Sequence, residues 1–156
     1  MGVPYIRDNG LPYLMLSKSS TYAIQALAYL AGKGPDSVFT PISEIARELS
    51  IPYHFLKKIL AELTQKGLLH SQRSAKGGVG LNRDAKTIAL LDIIVALDGG
   101  DLFSECILGL PGCGEQTPCA LHNAWALERS RLQLMFSSTT LFDIAKRIQS
   151  KGFRLS

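Results

Sequence analysis

The sequence predicts a mainly α-helical chain that carries one small β-hairpin, and three observations lead to this fold class. Two short amphipathic segments lie on either side of Ser50-Ile51-Pro52, which is the pattern of a helix-turn-helix. Another amphipathic segment with helical spacing precedes them. Two short extended runs then flank Lys76-Gly77-Gly78, which predicts a hairpin. Helix, helix, helix, hairpin is the order of elements in a winged helix-turn-helix.

The first two predicted helices each have an apolar stripe and a recognisable end. In the first helix, apolar residues at helical spacing are Tyr22, Ala23, Ala26, Leu27 and Leu30. Gly32 and Gly34 stop this helix. The second helix is expected to begin at Thr40-Pro41, because threonine is a good cap and proline suits a first helical turn. Its apolar face consists of Ile42, Ile45, Ala46 and Leu49.

The third predicted helix and the hairpin complete the winged unit. This helix runs from about Pro52 to Lys66, and Gly67 ends it. Its expected inward side chains are Phe55, Leu56, Ile59, Leu60 and Leu63. The two strands of the hairpin are expected at residues 68–74 and 79–82.

The second half of the chain is predicted to be helical on both sides of a loop rich in glycine and proline. A helix from Ile88 to Leu97 ends at Gly99-Gly100. A long helix from Cys119 to Phe136 follows the loop, and Thr139-Thr140 caps a last helix. The chain is thus divided into a flexible leader at 1–14, a winged-helix domain at 15–100, the loop at 101–118 and the helices of 119–156.

Charge is unevenly distributed between the two halves of the chain. Residues 1–86 contain 11 basic and 6 acidic side chains, whereas residues 87–156 contain 6 basic and 7 acidic ones. A basic N-terminal half suggests an anionic partner, of which nucleic acid is the simplest. No apolar run approaches the roughly 20 residues of a membrane span. Because the first residues also lack the pattern of a signal peptide, reduced cysteines in the cytoplasm are expected.

The polar face of the third helix has the side chains that a DNA reader needs. At helical spacing opposite the apolar stripe lie His54, Lys57, Lys58, Ala61 and Gln65. The second helix of a helix-turn-helix inserts its N-terminal part into the major groove, where lysine can donate to guanine or to phosphate. An amphipathic helix without this function would have a similar face, and the hairpin behind it is what favours DNA binding. We assign Tyr53, His54, Lys57 and Lys58 to the DNA-binding surface.

The tip of the hairpin, residues 71–78, combines two cations with two glycines and has no bulky apolar side chain. Arg73 and Lys76 can reach backbone phosphates or the minor groove. Gly77 and Gly78 permit the positive φ of a tight turn and a close approach to DNA. An ordinary hairpin tip is the simpler alternative. A nucleotide-binding loop is disfavoured, because the glycines match no phosphate-binding motif.

Three cysteines and a histidine lie close together in the second half, spaced Cys106-x6-Cys113-x5-Cys119-x2-His122. Soft sulfur ligands on a loop that bends freely suit an iron–sulfur cluster or a zinc ion. Cys119 and His122 are expected on one face of the first turn of the long helix, with Pro118 favouring helix initiation there. The alternatives without a metal are three buried thiols, or a Cys119 nucleophile with His122 as its base.

In its order of motifs the chain resembles the iron–sulfur winged-helix transcription regulators of bacteria, the family of IscR, NsrR and CymR. The matching segments are Leu16-Ser17-Lys18, Tyr22-Ala23-Ile24, residues 42–46, Ile51-Pro52, Phe55-Leu56, Leu63, residues 66–69, Gly77-Gly78, Leu81, residues 92–94, Asp98-Gly99 and the three cysteines. No single motif is decisive, but their order and spacing from Met15 to Ile148 are together highly specific.

The resemblance implies roles for individual residues. The family's base-reading and wing positions correspond to His54, Lys57, Lys58, Arg73 and Lys76, and its cluster cysteines to Cys106, Cys113 and Cys119. His122 matches the histidine that is the fourth ligand in IscR-like members. Thr21 stands where some NsrR-like members have an acidic ligand from the partner subunit, and threonine cannot replace it. These matches imply Cys3His ligation of a 2Fe–2S rather than a 4Fe–4S cluster, with zinc as the alternative.

The sequence departs from the family pattern in two places. Six residues separate Cys106 from Cys113 where five are common, and Val79 stands where an aromatic residue is frequent in the wing. A loop rich in glycine and proline should accommodate one additional residue.

Taken together, the sequence is interpreted as a cytoplasmic regulator, not an enzyme, that binds a pseudo-palindromic operator in double-stranded DNA as a homodimer. No membrane association is expected. The long helix after Cys119 is expected to supply the dimer contact, because its apolar side, with Trp125 and Met135, has little else to cover. The alternative is a zinc-binding or cluster-free winged-helix regulator controlled by a partner protein or small molecule.

Overall fold

A computed structural model describes residues 15–34, 39–74 and 77–151 of the chain. The predicted leader at 1–14 and the wing residue Lys76 lie outside the described residues. The described elements are α1 (Lys18–Gly32), α2 (Ile42–Glu48), α3 (Tyr53–Gln65), β1 (Leu69–Gln72), β2 (Gly78–Leu81), α4 (Leu90–Asp98), α5 (His122–Ser138) and α6 (Leu141–Lys151), with 3₁₀ turns at Ala85–Thr87 and Asp101–Phe103. The predicted fold class, mainly helical with one antiparallel hairpin in a winged-helix order, is confirmed.

One hydrophobic core joins the helices to the hairpin. Leu27 of α1, Leu60 of α3, Ile93 of α4 and Leu141 of α6 are fully buried in it. Burying each such side chain stabilises the fold by about 1.5–3 kcal/mol. The central element is α1, which contacts α3, α4, α6 and β2. None of the helices in the described ranges is long and apolar enough to cross a membrane.

In α3 the predicted inward stripe is confirmed except at its edge. The fully buried or nearly buried side chains of this helix are Leu56, Ile59, Leu60 and Leu63. Phe55, which was predicted to point inward, is 37% exposed. Its ring instead packs edge-to-face against Tyr22, with the ring centroids 5.8 Å apart. Phe55 lies at the margin of the stripe, where the ring of a residue on α1 covers only one side of it.

Thr40 attaches the hairpin to the chain that enters α2. Its backbone exchanges two hydrogen bonds of 2.9 Å with Val79, which adds a third strand-like segment to the wing. The predicted capping role of Thr40 is therefore wrong, and Pro41 precedes the first helical residue without a side-chain cap. The positive φ predicted for Gly77 and Gly78 is wrong for both residues. Gly78 is required because a Cβ atom there would lie 2.1 Å from the Thr40 carbonyl oxygen.

The segments that enter α4 and α6 lie side by side. Leu90 N–H donates to the Thr139 carbonyl at 2.9 Å, and Leu141 N–H donates to the Ile88 carbonyl at 3.0 Å. This pairing keeps Ile88 extended, so α4 begins at Leu90 and not at Ile88 as predicted.

The predicted cap of the last helix is confirmed at Thr140. The Asp143 N–H donates to Thr140 Oγ1 at 3.2 Å, and the Thr140 N–H donates to the Asp143 carboxylate at 2.9 Å. This reciprocal arrangement is a capping box. The bonds from the Thr140 backbone and side chain hold the pKa of Asp143 below its usual range.

Candidate functional site

The three cysteines meet at one place in the loop between α4 and α5. Their sulfur atoms lie within 4.8 Å of one another, and the Cys106 and Cys119 sulfurs are 3.7 Å apart. All three side chains are half-buried and none is in a disulfide. Two thiolates on one tetrahedral zinc ion are about 3.8 Å apart, given Zn–S bonds of about 2.3 Å. The spacing of the sulfurs therefore suits thiolate ligation of a metal.

Glycine allows the loop to fold the first two cysteines towards each other. Gly109 and Gly112 have φ values of 63° and 71°, a left-handed conformation that glycine adopts without strain. The Gly109 N–H donates to the Cys106 carbonyl at 2.9 Å, and Thr117 Oγ1 donates to the Gly112 carbonyl at 2.7 Å. These local bonds shape the loop independently of the hydrophobic core.

The pKa values of the Cys106 and Cys113 thiols are shifted in opposite directions. Backbone N–H groups, first that of Leu110 and then that of Leu108, outweigh burial and lower the pKa of the Cys106 thiol from 9.0 to about 7. At Cys113 the Cys119 N–H, which donates to the sulfur at 3.4 Å, favours the thiolate. Burial and the neighbouring sulfurs outweigh this bond, so the pKa of Cys113 is raised. A bound cation would favour the thiolate at every position.

His122 begins α5 beside the centre, with Nδ1 3.4 Å from the Cys113 sulfur. Cys119 precedes the helix, and so the predicted first-turn relation between Cys119 and His122 is wrong. The His122 N–H instead closes a tight turn on the Cys119 carbonyl at 3.0 Å, and the first α-helical bond runs from the Trp125 N–H to the Leu121 carbonyl at 2.8 Å. Thr21, the position of the alternative acidic ligand, lies in α1 and donates its hydroxyl to the Ser17 carbonyl.

Two side chains of α5 that the sequence analysis did not assign to the centre also reach it. Trp125 was expected on the apolar side of this helix that forms the dimer contact, and it lies against the cysteine loop instead. Trp125 Nε1 donates to the Glu105 carbonyl at 2.9 Å, and Arg129 Nη1 donates to the Ser104 and Glu105 carbonyls at 2.7 and 3.2 Å. Both line a cavity of about 300 Å³ together with Cys106, Cys113 and His122. Their i+3 and i+7 spacing from His122 is the sequence signal that could have identified them.

The predicted DNA-binding face of α3 is exposed along its whole length. The exposed side chains on this face are His54, Lys57, Lys58, Ala61 and Gln65. Tyr53 is 42% exposed at the start of the helix, and its ring contacts that of His54 with centroids 5.4 Å apart. The hydrophobic core holds the opposite face of α3, so these side chains project from a rigid support.

The wing places a further cation outside the core. Arg73 is exposed just after β1, and the Gly77 N–H donates to the Ser74 carbonyl at 2.9 Å before β2 begins. A Cβ atom at Gly77 would lie 2.1 Å from the Gln72 carbonyl oxygen, so the turn requires glycine here. The helix-turn-helix and this wing define a winged-helix protein of the class that regulates transcription.

Comparison with known proteins identifies the family. Residues 16–147 match Rrf2, described as an iron-dependent transcriptional regulator. The chain belongs to the Rrf2 family and is a transcriptional regulator.

Individual relatives agree with this assignment. A putative HTH-type transcriptional regulator of Aquifex aeolicus is 32% identical over 84% of this chain and 91% of its own length. The HTH-type transcriptional regulator IscR of Yersinia pseudotuberculosis is 27% identical over 84% of this chain and 79% of its own. The structure of CymR, the global cysteine regulator of B. subtilis, superimposes with a TM-score of 0.74 at 28% identity, covering 86% of this chain and 98% of that one. These relatives are regulators and not enzymes, which argues against the interpretation of Cys119 as a catalytic nucleophile.

Proposed function

We propose that this regulator binds its operator under the control of an iron–sulfur cluster held by Cys106, Cys113, Cys119 and His122. The observation that carries the proposal is the meeting of three sulfur atoms within 4.8 Å, with an imidazole nitrogen 3.4 Å from one of them. A bound cluster would supply a centre that changes its charge on reduction or oxidation and can be gained or lost. The match to an iron-dependent family supports the same assignment.

The donor atoms form two close pairs, which favours a 2Fe–2S over a 4Fe–4S cluster. Cys106 and Cys119 are 3.7 Å apart, and Cys113 and His122 are 3.4 Å apart. Each separation is that of two ligands on one tetrahedral metal. Two such pairs are what two iron atoms require.

A zinc site is the second candidate, and one observation favours it. All three sulfurs already lie within 4.8 Å, close to the separation of about 3.8 Å between thiolates on a single tetrahedral ion, so a small movement of the loop would suffice. A cluster would require Cys113 to move outwards, which the turn at Gly109 and Gly112 can allow.

We propose that α5 joins two copies of the chain. Leu127, Leu134 and Met135 are 54%, 67% and 49% exposed on this helix. Leu127 and Leu134 are seven residues apart and therefore share one side of α5, as in a helix-to-helix seam. A two-fold dimer would present two α3 helices to the two halves of a pseudo-palindromic operator in double-stranded DNA. Such a protein acts where the DNA is, in the cytoplasm.

The DNA contacts are proposed to be of two kinds. His54, Lys57 and Lys58, with Tyr53 at their edge, would approach base edges in the major groove, because they lie in the first turns of α3. On the wing, Arg73, Lys76 and the backbone at Gly77 would contact phosphates.

Lys57→Ala is expected to lose about 1–3 kcal/mol of binding to the specific operator and to relax discrimination at one base pair in each half-site. Arg73→Ala is expected to weaken binding to specific and random DNA alike. It should also reduce the slope of log affinity against log salt concentration by about one. The measurement is an anisotropy titration, at several salt concentrations, of a duplex selected from random DNA by the wild-type protein. The stoichiometry should be two chains per duplex.

Lys146→Ala is the control, because Lys146 is an exposed cation on α6, a helix that packs mainly against α1. It should leave affinity and salt slope unchanged. If Lys57→Ala and Arg73→Ala both behave like this control, the face of α3 and the wing does not bind DNA.

His122→Cys is expected to retain a cluster, because thiolate can replace imidazole, and to lower its reduction potential, since histidine ligation raises it. Visible absorption and a redox titration of the anaerobically isolated protein measure both effects. His54→Ala removes a histidine from the DNA-binding face and is the matched control for the spectrum. An unchanged spectrum and potential in His122→Ala would assign the fourth ligand to another group.

A further inference from the structure

One face of α5 meets the loop of the cysteine centre. His122, Trp125 and Arg129 are spaced i, i+3 and i+7, so they lie along the same side of the helix. With Cys106 and Cys113 they line the cavity of about 300 Å³. This face is distinct from the exposed seam of Leu127 and Leu134, which the proposed dimer would use.

The contacts of Trp125 and Arg129 are directed at one short stretch of chain. Their three hydrogen bonds all end on the carbonyl oxygens of Ser104 and Glu105. These are the two residues immediately before Cys106. The helix that presents His122 therefore also holds the backbone that presents the first cysteine.

We propose that Trp125 and Arg129 are positioning residues of the metal centre, which set the separation between Cys106 and the Cys113–His122 pair. This inference rests on the proposed function in that the centre binds a metal. Arg129 is suited to the role because a planar guanidinium has five donors. One of its nitrogens contacts both carbonyls, while its charge lies at the wall of a cavity lined by thiols.

The charge of Arg129 has a second consequence for a bound centre. Ligation by three thiolates makes the site anionic, and each added electron makes it more so. A cation in the wall of the cavity favours the more negative state, and so it raises the reduction potential. Holding the loop and tuning the charge are separable, because lysine keeps the charge but is a compact ammonium on a flexible stem, which does not hold two carbonyls in the fixed geometry of the planar guanidinium.

The alternative is that these bonds only close the loop and stabilise the fold. The two possibilities differ in what they change. A purely structural bond would alter the melting temperature of the metal-free protein and leave metal affinity and potential untouched. A positioning residue would alter metal affinity and cluster lifetime in a protein that remains folded.

The experiment titrates the full-length, reduced, metal-free chain with Co²⁺ and follows the absorption that thiolate ligation produces. Arg129→Gln and Trp125→Phe are expected to weaken Co²⁺ binding by at least about tenfold, as for other residues that orient ligands. In cluster-loaded protein, Arg129→Gln should also accelerate loss of colour to a chelator and lower the reduction potential. Arg129→Lys should restore most of the potential and little of the affinity.

Arg131→Gln is the matched control. Arg131 is an exposed arginine on the same helix, and it pairs with Glu128 at 2.8 Å and not with the loop. This variant should match the wild type in every measurement. Equal Co²⁺ affinity in Arg129→Gln, Trp125→Phe and Arg131→Gln overturns the inference, as does the absence of any Co²⁺–thiolate absorption in the wild type.

Failure of the inference and failure of the proposed function give different results. A wild-type chain that binds Co²⁺ but incorporates no iron and sulfide contradicts the cluster, and the Co²⁺ titrations still decide the role of Trp125 and Arg129. If the wild-type chain holds a cluster and the cluster of Arg129→Gln has the same lifetime, the result supports the proposed function and contradicts the inference.

Discussion

Replacing Cys113 by serine is expected to abolish the iron, acid-labile sulfide and visible colour of the anaerobically isolated protein. Cys113 links two of the other candidate ligands, since its sulfur accepts the Cys119 N–H and lies 3.4 Å from His122 Nδ1. Serine has nearly the same shape but offers a hard hydroxyl in place of a soft thiolate. Cys106→Ser and Cys119→Ser should have the same effect, because each substitution leaves only three of the four proposed ligands to hold the cluster.

The fold should survive these substitutions. None of the three cysteines belongs to the hydrophobic core, and the loop is shaped by its own turns and by α5. The melting temperature of metal-free Cys113→Ser should therefore match that of the metal-free wild type. Iron, sulfide and zinc analysis measures the loss. Stoichiometric zinc without sulfide in the wild type would contradict the cluster and support the zinc site.

The second large effect is expected at the wing, from the substitution Gly78→Ala. A Cβ atom at this position would lie 2.1 Å from the Thr40 carbonyl oxygen and 2.7 Å from the Pro41 nitrogen. The backbone of β2 and the backbone at Thr40 must therefore move apart. The movement breaks the two hydrogen bonds between Thr40 and Val79. We expect the free energy of unfolding to fall by about 2–3 kcal/mol, and the melting temperature by roughly 5–10 °C. Thermal and urea denaturation measure the loss.

Gly78→Ala is also expected to weaken DNA binding, because the strand that carries the wing is displaced while α3 remains in the core. Gly100→Ala is the matched control, since Gly100 has a φ of −95° and nothing lies within 4 Å of the added Cβ atom. That variant should be as stable as the wild type and bind DNA equally well. Equal stability of the two variants would mean that the wing is not attached through Thr40.

Much of the fold was predictable because its signals are local. The buried stripe of α3 recurs every three or four residues, so Leu56, Ile59, Leu60 and Leu63 could be assigned from spacing. The capping box of α6 is contained within residues 140–143. The set of candidate metal ligands was equally local, because Cys106, Cys113, Cys119 and His122 are close in the chain and brought together by short glycine turns.

The errors occurred where a backbone group is used by a distant part of the chain. Threonine is a residue type that often caps helices, but the N–H and carbonyl of Thr40 pair with Val79, 39 residues later. Helix α4 was predicted to begin at Ile88 and begins at Leu90, because the Ile88 carbonyl accepts the Leu141 N–H, 53 residues later. Helix propensity and capping preferences concern only neighbouring residues, so they cannot report such competition.

The spacing of apolar, glycine and cysteine residues was thus enough to establish the order of elements, the class of protein and the candidate ligands. The attachment of the wing at Gly78 and the attachment of the cysteine loop by Trp125 and Arg129 depended on how the elements pack. Arg129 reaches the Ser104 carbonyl across 25 residues of sequence, and Trp125 reaches Glu105 across 20. Contacts of that separation form only when helices and loops pack against one another. Helical spacing places Trp125 and Arg129 on the same side of α5 as His122, but it does not identify Ser104 and Glu105 as their partners.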